Sequence, residues 1–116
     1  MKNWRFERIL TSSDVNKCNS ITHAISKLEG ISVNDVKGKC RKKEYVIPRQ
    51  IAIHMARSKT NMSLVNIGEF FGGRDHATVI HSINKINDEI NMYEEDSKRY
   101  KRMESYVDLW LKVASL

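Results

Sequence analysis

The run Gly72-Gly73-Arg74-Asp75-His76-Ala77-Thr78-Val79-Ile80-His81 gathers, within ten residues, side chains able to meet the edges of bases and a backbone able to turn sharply and present them. An aspartate accepts from cytosine N4–H₂ or adenine N6–H₂, a histidine donates to purine N7, and the methyls of alanine and threonine meet the thymine methyl. Side chains at the start of a helix reach deepest when that helix lies in the major groove, so Asp75, His76, Ala77 and Thr78 are the candidates for base readout.

Such groups need a rigid carrier, and the flanking residues supply one. Two glycines turn without a Cβ penalty, and the Asp75 carboxylate can cap a new helix through an amide two or three residues on. Val79, Ile83, Ile86 and Ile90 recur at steps of four, three and four, lining one helix face with apolar groups. Ala77, His81, Lys85 and Asp88 fall on the opposite face, flanked by Thr78 and Asn84. Before the glycines, Leu64, Ile67 and Phe71 repeat at three and four, Ser63 can cap the start, and Gly68 would let a second helix cross closely. Residues 63 to 91 therefore predict a helix-turn-helix.

The string GGRDHATVIHSINKI, preceded by TNMSLVNIGEFF and by the outlying IPRQIAIHMAR, resembles the C-terminal DNA-binding domain of the bacterial replication initiator DnaA. The resemblance covers about residues 14 to 95. It implies an all-α domain of about six helices, similar to the Trp-repressor class, that binds duplex DNA with one helix in the major groove and a basic loop in the minor groove. By this resemblance Asp75 and His76 sit on base-reading positions, while Ala77 stands where a threonine is usual, so the preferred site is expected to differ from the usual initiator box. Thr78, His81, Lys85, Ser63, Arg49 and Gln50 match phosphate-gripping positions, and Arg57 matches a basic position facing DNA. Val65 replaces a proline that usually touches a base methyl. Arg41 matches the arginine that enters the minor groove, where a narrow A/T-rich stretch concentrates negative potential. Its neighbours Lys42 and Lys43 depart from the usual Arg/Ser alternation, which leaves open which of the three inserts, and Leu64 and Arg74 complete the expected contact set.

Charge placement agrees. The chain of 116 residues carries a net charge of +6. Between Lys37 and Lys85 lie ten Lys/Arg against three acids, a balance of +7, whereas the remaining residues hold ten cations against eleven acids. The excess sits in and just before the reading unit, where attraction to phosphate requires it. The length suits one domain that buries roughly two-thirds of its unfolded surface. No Gly-rich loop ends in Gly-Lys-Ser or Gly-Lys-Thr, so no P-loop, nucleotide or hydrolysis is expected. No nucleophile–base set or paired carboxylates emerge, which speaks against an enzyme. No apolar run suits a membrane span or a leader, so a cytoplasmic, nucleoid-associated protein is expected. Cys18 and Cys40 lack CxxC or CxxH context and read as reduced thiols. His76 and His81 lie about 140° apart around a helix and cannot share one metal. No cofactor is implied.

Along the rest of the chain, Ser12 or Ser13 can cap a helix with the stripe Val15, Cys18, Ile21 or Thr22, Ile25 and Leu28, stopped by Gly30. Ser32 to Val36 reads as a capped turn or two closed by Gly38. Residues 37 to 43 then form a loop with five cations in seven residues. Pro48 suits the first turn of a third helix, with Ile47, Ile51 and Met55 facing inward. A last amphipathic helix at about 96–115 carries Tyr100, Met103, Val107, Trp110 and Ala114. Its stripe can cap the domain's own core or pair with a second chain or protein partner. Trp4, Phe6, Ile9 and Leu10 in the extra segment 1–12 are expected to add to that apolar surface. The Met1 start favours a stand-alone domain over an excised piece.

Blander readings exist for each feature. A cationic run is usually a solvated loop; Asp75 can be only a cap with Arg74 its ion-pair partner; His23 and His54 suit surface or packing roles. The rival from another class is a protein-interaction module of a replication or mobile-element complex, with vestigial DNA contact.

Overall fold

The structure, a computed structural model, describes residues 11 to 115. Those residues form six helices and no strand: α1 (Ser12–Glu29), α2 (Val33–Lys37), α3 (Lys43–Lys59), α4 (Leu64–Phe70), α5 (His76–Met92) and α6 (Glu94–Ala114). The core stripe of α1 holds as expected at Cys18, Ile21 and Ile25, with Thr22 and Ala24 buried beside them, whereas Leu28 is exposed. The cap is Thr11, one residue before the expected serines, its hydroxyl accepting the Asp14 N–H at 3.1 Å. Asp14 is itself buried, and its Oδ1 accepts the Asn61 N–H at 3.1 Å, tying α1 to the α3–α4 link. Gly30 ends α1 in the left-handed region at φ 69°.

Helix α3 is the central element, packed on α1, α2, α4 and α5. It starts at Lys43, so Pro48 lies inside it and not in its first turn. The Lys42 carbonyl accepts both the Tyr45 and Val46 N–H groups at 2.9 Å and opens the helix there. Ile47 packs against the core and lines a small cavity with Ile51, Ile86, Ile90 and Tyr100 between α3, α5 and α6, and that burial holds the residue before proline in a helical conformation it otherwise resists. One consequence is a shorter basic loop. Lys37 belongs to α2 and Lys43 to α3, leaving 38 to 42 between them.

The stripe of α6 is consumed internally, since the helix packs on α1 and α5 with Tyr100, Met103 and Val107 buried, Trp110 half-buried and Ala114 exposed. His54 of α3 joins these elements: its Nδ1 lies 2.7 Å from the Tyr100 hydroxyl and its Nε2 2.6 Å from Asn87 Oδ1. That is the packing role expected of His54. His23 is exposed on α1. Trp4, Phe6, Ile9 and Leu10 lie outside the described residues. Among the described residues no helix is long and apolar enough to cross a membrane.

Candidate nucleic-acid interface

The turn between α4 and α5 is made by backbone that only glycine adopts readily. Gly72 and Gly73 have φ 86° and 78°. The Gly68 carbonyl accepts the N–H groups of Gly73 and Arg74 at 3.0 and 2.8 Å, closing the turn on α4. A Cβ on Gly68 would stand 2.0 Å from the Arg74 carbonyl oxygen. Gly68 is therefore required by the turn's backbone, with Val79 of the second helix its next neighbour at 3.5 Å. Phe71, fully buried, plugs the joint from below.

Helix α5 then leaves the turn under an exposed cap. The Asp75 carboxylate accepts the Thr78 N–H at 2.9 Å, and that bond, more than any other influence, holds its carboxyl below the usual aspartate range. Val79 and Ile86 face the core with Ile83 and Ile90 beside them, and the small Ser82 is buried too. His76, Ala77, Thr78 and His81 are exposed on the opposite side. The half-exposed Lys85 reaches Gln50 Oε1 of α3 at 3.3 Å and Glu89 of its own helix at 3.3 Å.

A groove of about 370 Å³ separates this helix from the basic loop, lined among others by Lys39, Arg41, Gln50, Arg74, Thr78 and His81. Lys39, Arg41, Lys42 and Lys43 are all exposed. Cations therefore form one bank, polar groups of α5 the other, and Val46 and Ile53 belong to the lining between them. Lys39, Val46, Ile53 and Ser82 were outside the expected set. Val46, Gln50 and Ile53 recur at four and three, a pattern that marks one face of α3.

Two arginines of the expected set are bonded to the chain's own backbone. Arg49 is 4% exposed, and its donors go to the carbonyls of Val36 at 2.9 Å, Cys40 at 2.8 Å and Asp35 at 2.6 Å. Arg74 donates to the carbonyls of Gly38 at 2.7 Å, Lys37 at 3.4 Å and Phe71, rather than pairing with Asp75. Burial lowers the pKa of both, and for Arg49 the neighbouring Arg74 charge adds to the shift. The physical reason is that the last carbonyls of a helix lack partners along the chain, and α2 has only five residues, so its end and the loop beyond draw donors from other elements.

The remaining expected residues sit apart from the groove. Arg57 donates to the Met62 carbonyl at 3.1 Å and braces the link into α4. Ser63 caps α4 by accepting the Asn66 N–H at 3.1 Å. Leu64 is half-buried against the core, whereas Val65 is 57% exposed. Cys40 is exposed in the loop; Cys18 is buried, which pushes its thiol up to about 12. Among the described residues no group of His, Cys, Asp and Glu is arranged to hold a metal ion.

Comparison with known proteins places this arrangement. The family described as "Bacterial dnaA protein helix-turn-helix" matches residues 18–86. A chromosomal replication initiator protein DnaA from Chlorobaculum tepidum is 39% identical over 90 residues, 78% of this chain and 18% of that protein. Its counterpart from Levilactobacillus brevis is 43% identical over 82 residues, 71% of this chain and again 18% of the relative. For Lacticaseibacillus casei the figures are 52% over 66 residues, 57% and 15%. The chain thus spans less than a fifth of the length of these relatives. The match runs from the core of α1 into α5, enclosing the basic loop, α4, the glycine turn and the start of α5, and the chain belongs to the bacterial DnaA helix-turn-helix family of DNA-binding domains.

Proposed function

We propose that this domain recognises a short, asymmetric duplex sequence, similar to an initiator box, in the initiation of replication or its regulation. The observation that carries the reading is one groove with Thr78 and His81 of α5 on one bank and the exposed cations Lys39 and Arg41 on the other, the exposed His76 and Ala77 standing at the start of the same helix and Lys42 next to Arg41 in the loop. The helix start enters the major groove and Asp75 and His76 read base edges; Arg41 enters the adjoining minor groove, with Lys42 and Lys43 near the backbone. Thr78, His81, Gln50 and Lys85 hold phosphates on one side, Ser63 and Arg57 on the other, and Val65 offers an apolar contact to a base methyl. At Ala77 the usual threonine hydroxyl is absent, so the preferred duplex differs from the usual box at the base facing it. This segment works in the cytoplasm, on the nucleoid, and contributes no nucleotide hydrolysis.

The test is enrichment of bound duplexes from a random pool, followed by band-shift titration of the enriched sequence. The expected result is one asymmetric motif with an A/T-rich flank, bound at least a hundredfold more tightly than scrambled duplex at moderate salt, on the order seen for specific complexes. Equal affinity for motif and scramble refutes the reading. Ala77→Thr is expected to change the preferred base at one position only.

A further inference from the structure

The carbonyls of residues 35, 36, 37, 38 and 40 all accept from just two side chains, Arg49 and Arg74. Arg74 is the one that joins two elements. It sits in the turn immediately before the Asp75 cap of α5, yet its Nη2 holds the Gly38 carbonyl at 2.7 Å and its Nη1 reaches Lys37, 36 to 37 residues away in the chain. The same Nη1 holds the Phe71 carbonyl inside the turn. The turn presses on the loop by backbone as well, since a Cβ at Gly72 would stand 3.0 Å from the Lys37 carbonyl. We infer that Arg74 is a positioning residue: by spanning the α4–α5 turn and the start of the basic loop, it sets the distance and angle at which the loop and α5 address one duplex.

The geometry suits that task better than a grip on phosphate. Donors committed to carbonyls cannot serve an incoming anion without releasing the loop. A lysine keeps the charge but presents a single nitrogen, and cannot hold carbonyls on two elements with the planar fork of a guanidinium. The inference rests on the duplex-reading function proposed above, and two measurements on the full chain separate the two.

The first needs no DNA. In Arg74→Lys, the backbone NMR order parameters of residues 38 to 42 are expected to fall below about 0.6, the mark of a flexible backbone, with α1 and α6 keeping the parent's values; unchanged values in the loop overturn the inference. The second is a double-mutant cycle on the enriched duplex, with Arg74→Lys made in the parent and in a chain carrying Arg41→Gln and Lys42→Gln. A positioning residue loses its value when the loop has nothing to place. The expected loss is about tenfold in the parent and less than twofold in the neutralised chain. An equal loss in both backgrounds, the signature of a direct phosphate contact or of general destabilisation, overturns the inference while leaving duplex reading intact. A parent that prefers no duplex overturns both.

Discussion

The α1–α6 side of the domain and its reading side are held together by different forces, and the difference accounts for where charge is left over. On the first side, Ile21, Ile25, Met103 and Val107 are buried, and cations at the rim meet acids: Arg99 with Glu29 at 2.7 Å, Lys59 with Glu104 at 3.0 Å and Asp108 at 2.8 Å. Around the groove, Arg49 and Arg74 are bonded to neutral carbonyls, and Lys39, Arg41 and Lys42 stand in solvent. A carboxylate partner would satisfy a buried guanidinium equally well but would cancel its charge. Carbonyls satisfy the donors and keep the positive potential, which a polyanion feels across a Debye length of about 10 Å. One half of the molecule is built for stability at little net charge, the other for shape at high charge.

The largest effects should separate the two halves cleanly. Ile21→Ala removes a fully buried side chain from the first side and is expected to cost about 2–5 kcal/mol of unfolding free energy, read by urea titration. The same variant, measured where it is still folded, should keep the parent's preference among duplexes; a changed preference would show that the halves are not separable. His76→Ala is the converse. Its side chain is exposed, so stability should move by less than about 0.5 kcal/mol. Discrimination at the base it faces should fall by about 1–3 kcal/mol, measured by competition between duplexes that differ at single positions.

How much of this was legible before folding also divides along the same line. The reading unit could be traced because its signals are local: paired glycines, an aspartate cap and a 3.6-residue stripe all act within one turn or two. That Arg49 and Arg74 hold carbonyls of residues 35 to 40 could not be read in advance, because no side-chain pattern announces a backbone acceptor 9 to 37 residues away. The start of α3 was misplaced for a related reason. Proline is a strong local signal, and Ile47 packing against α5 and α6 outweighs it. No local pattern marks Asp14 for burial, and only the fold brings the Asn61 N–H to it. The ambiguous stripe of α6 was settled the same way, by α1 and α5 lying against it.

Lys85 is the exception that sharpens the contrast, because on the reading side it carries an acid partner, Glu89 at 3.3 Å. Lys85→Gln should weaken all duplexes alike and flatten the slope of log affinity against log salt by about one unit, as loss of one phosphate contact requires. Glu89→Gln should move affinity the other way by releasing Lys85 for phosphate. A sequence-selective loss in Lys85→Gln would instead assign it to base readout.

The smallest expected effect concerns the cap. Asp75 titrates below its ordinary range in the folded domain because its carboxylate accepts the Thr78 N–H, while in the unfolded chain it returns to that range. A depressed folded value means that the unfolded chain binds the proton more readily. The contribution is therefore complete above the ordinary aspartate value near 4 and is lost as pH falls through the lower folded value. Asp75→Asn keeps a capping oxygen but removes the titration. Comparing urea unfolding at pH 6 and pH 3, the parent should lose more stability than Asp75→Asn over that interval. Equal losses would mean that the exposed carboxylate gains nothing from the helix start, leaving base reading as the only use for a charge at this position.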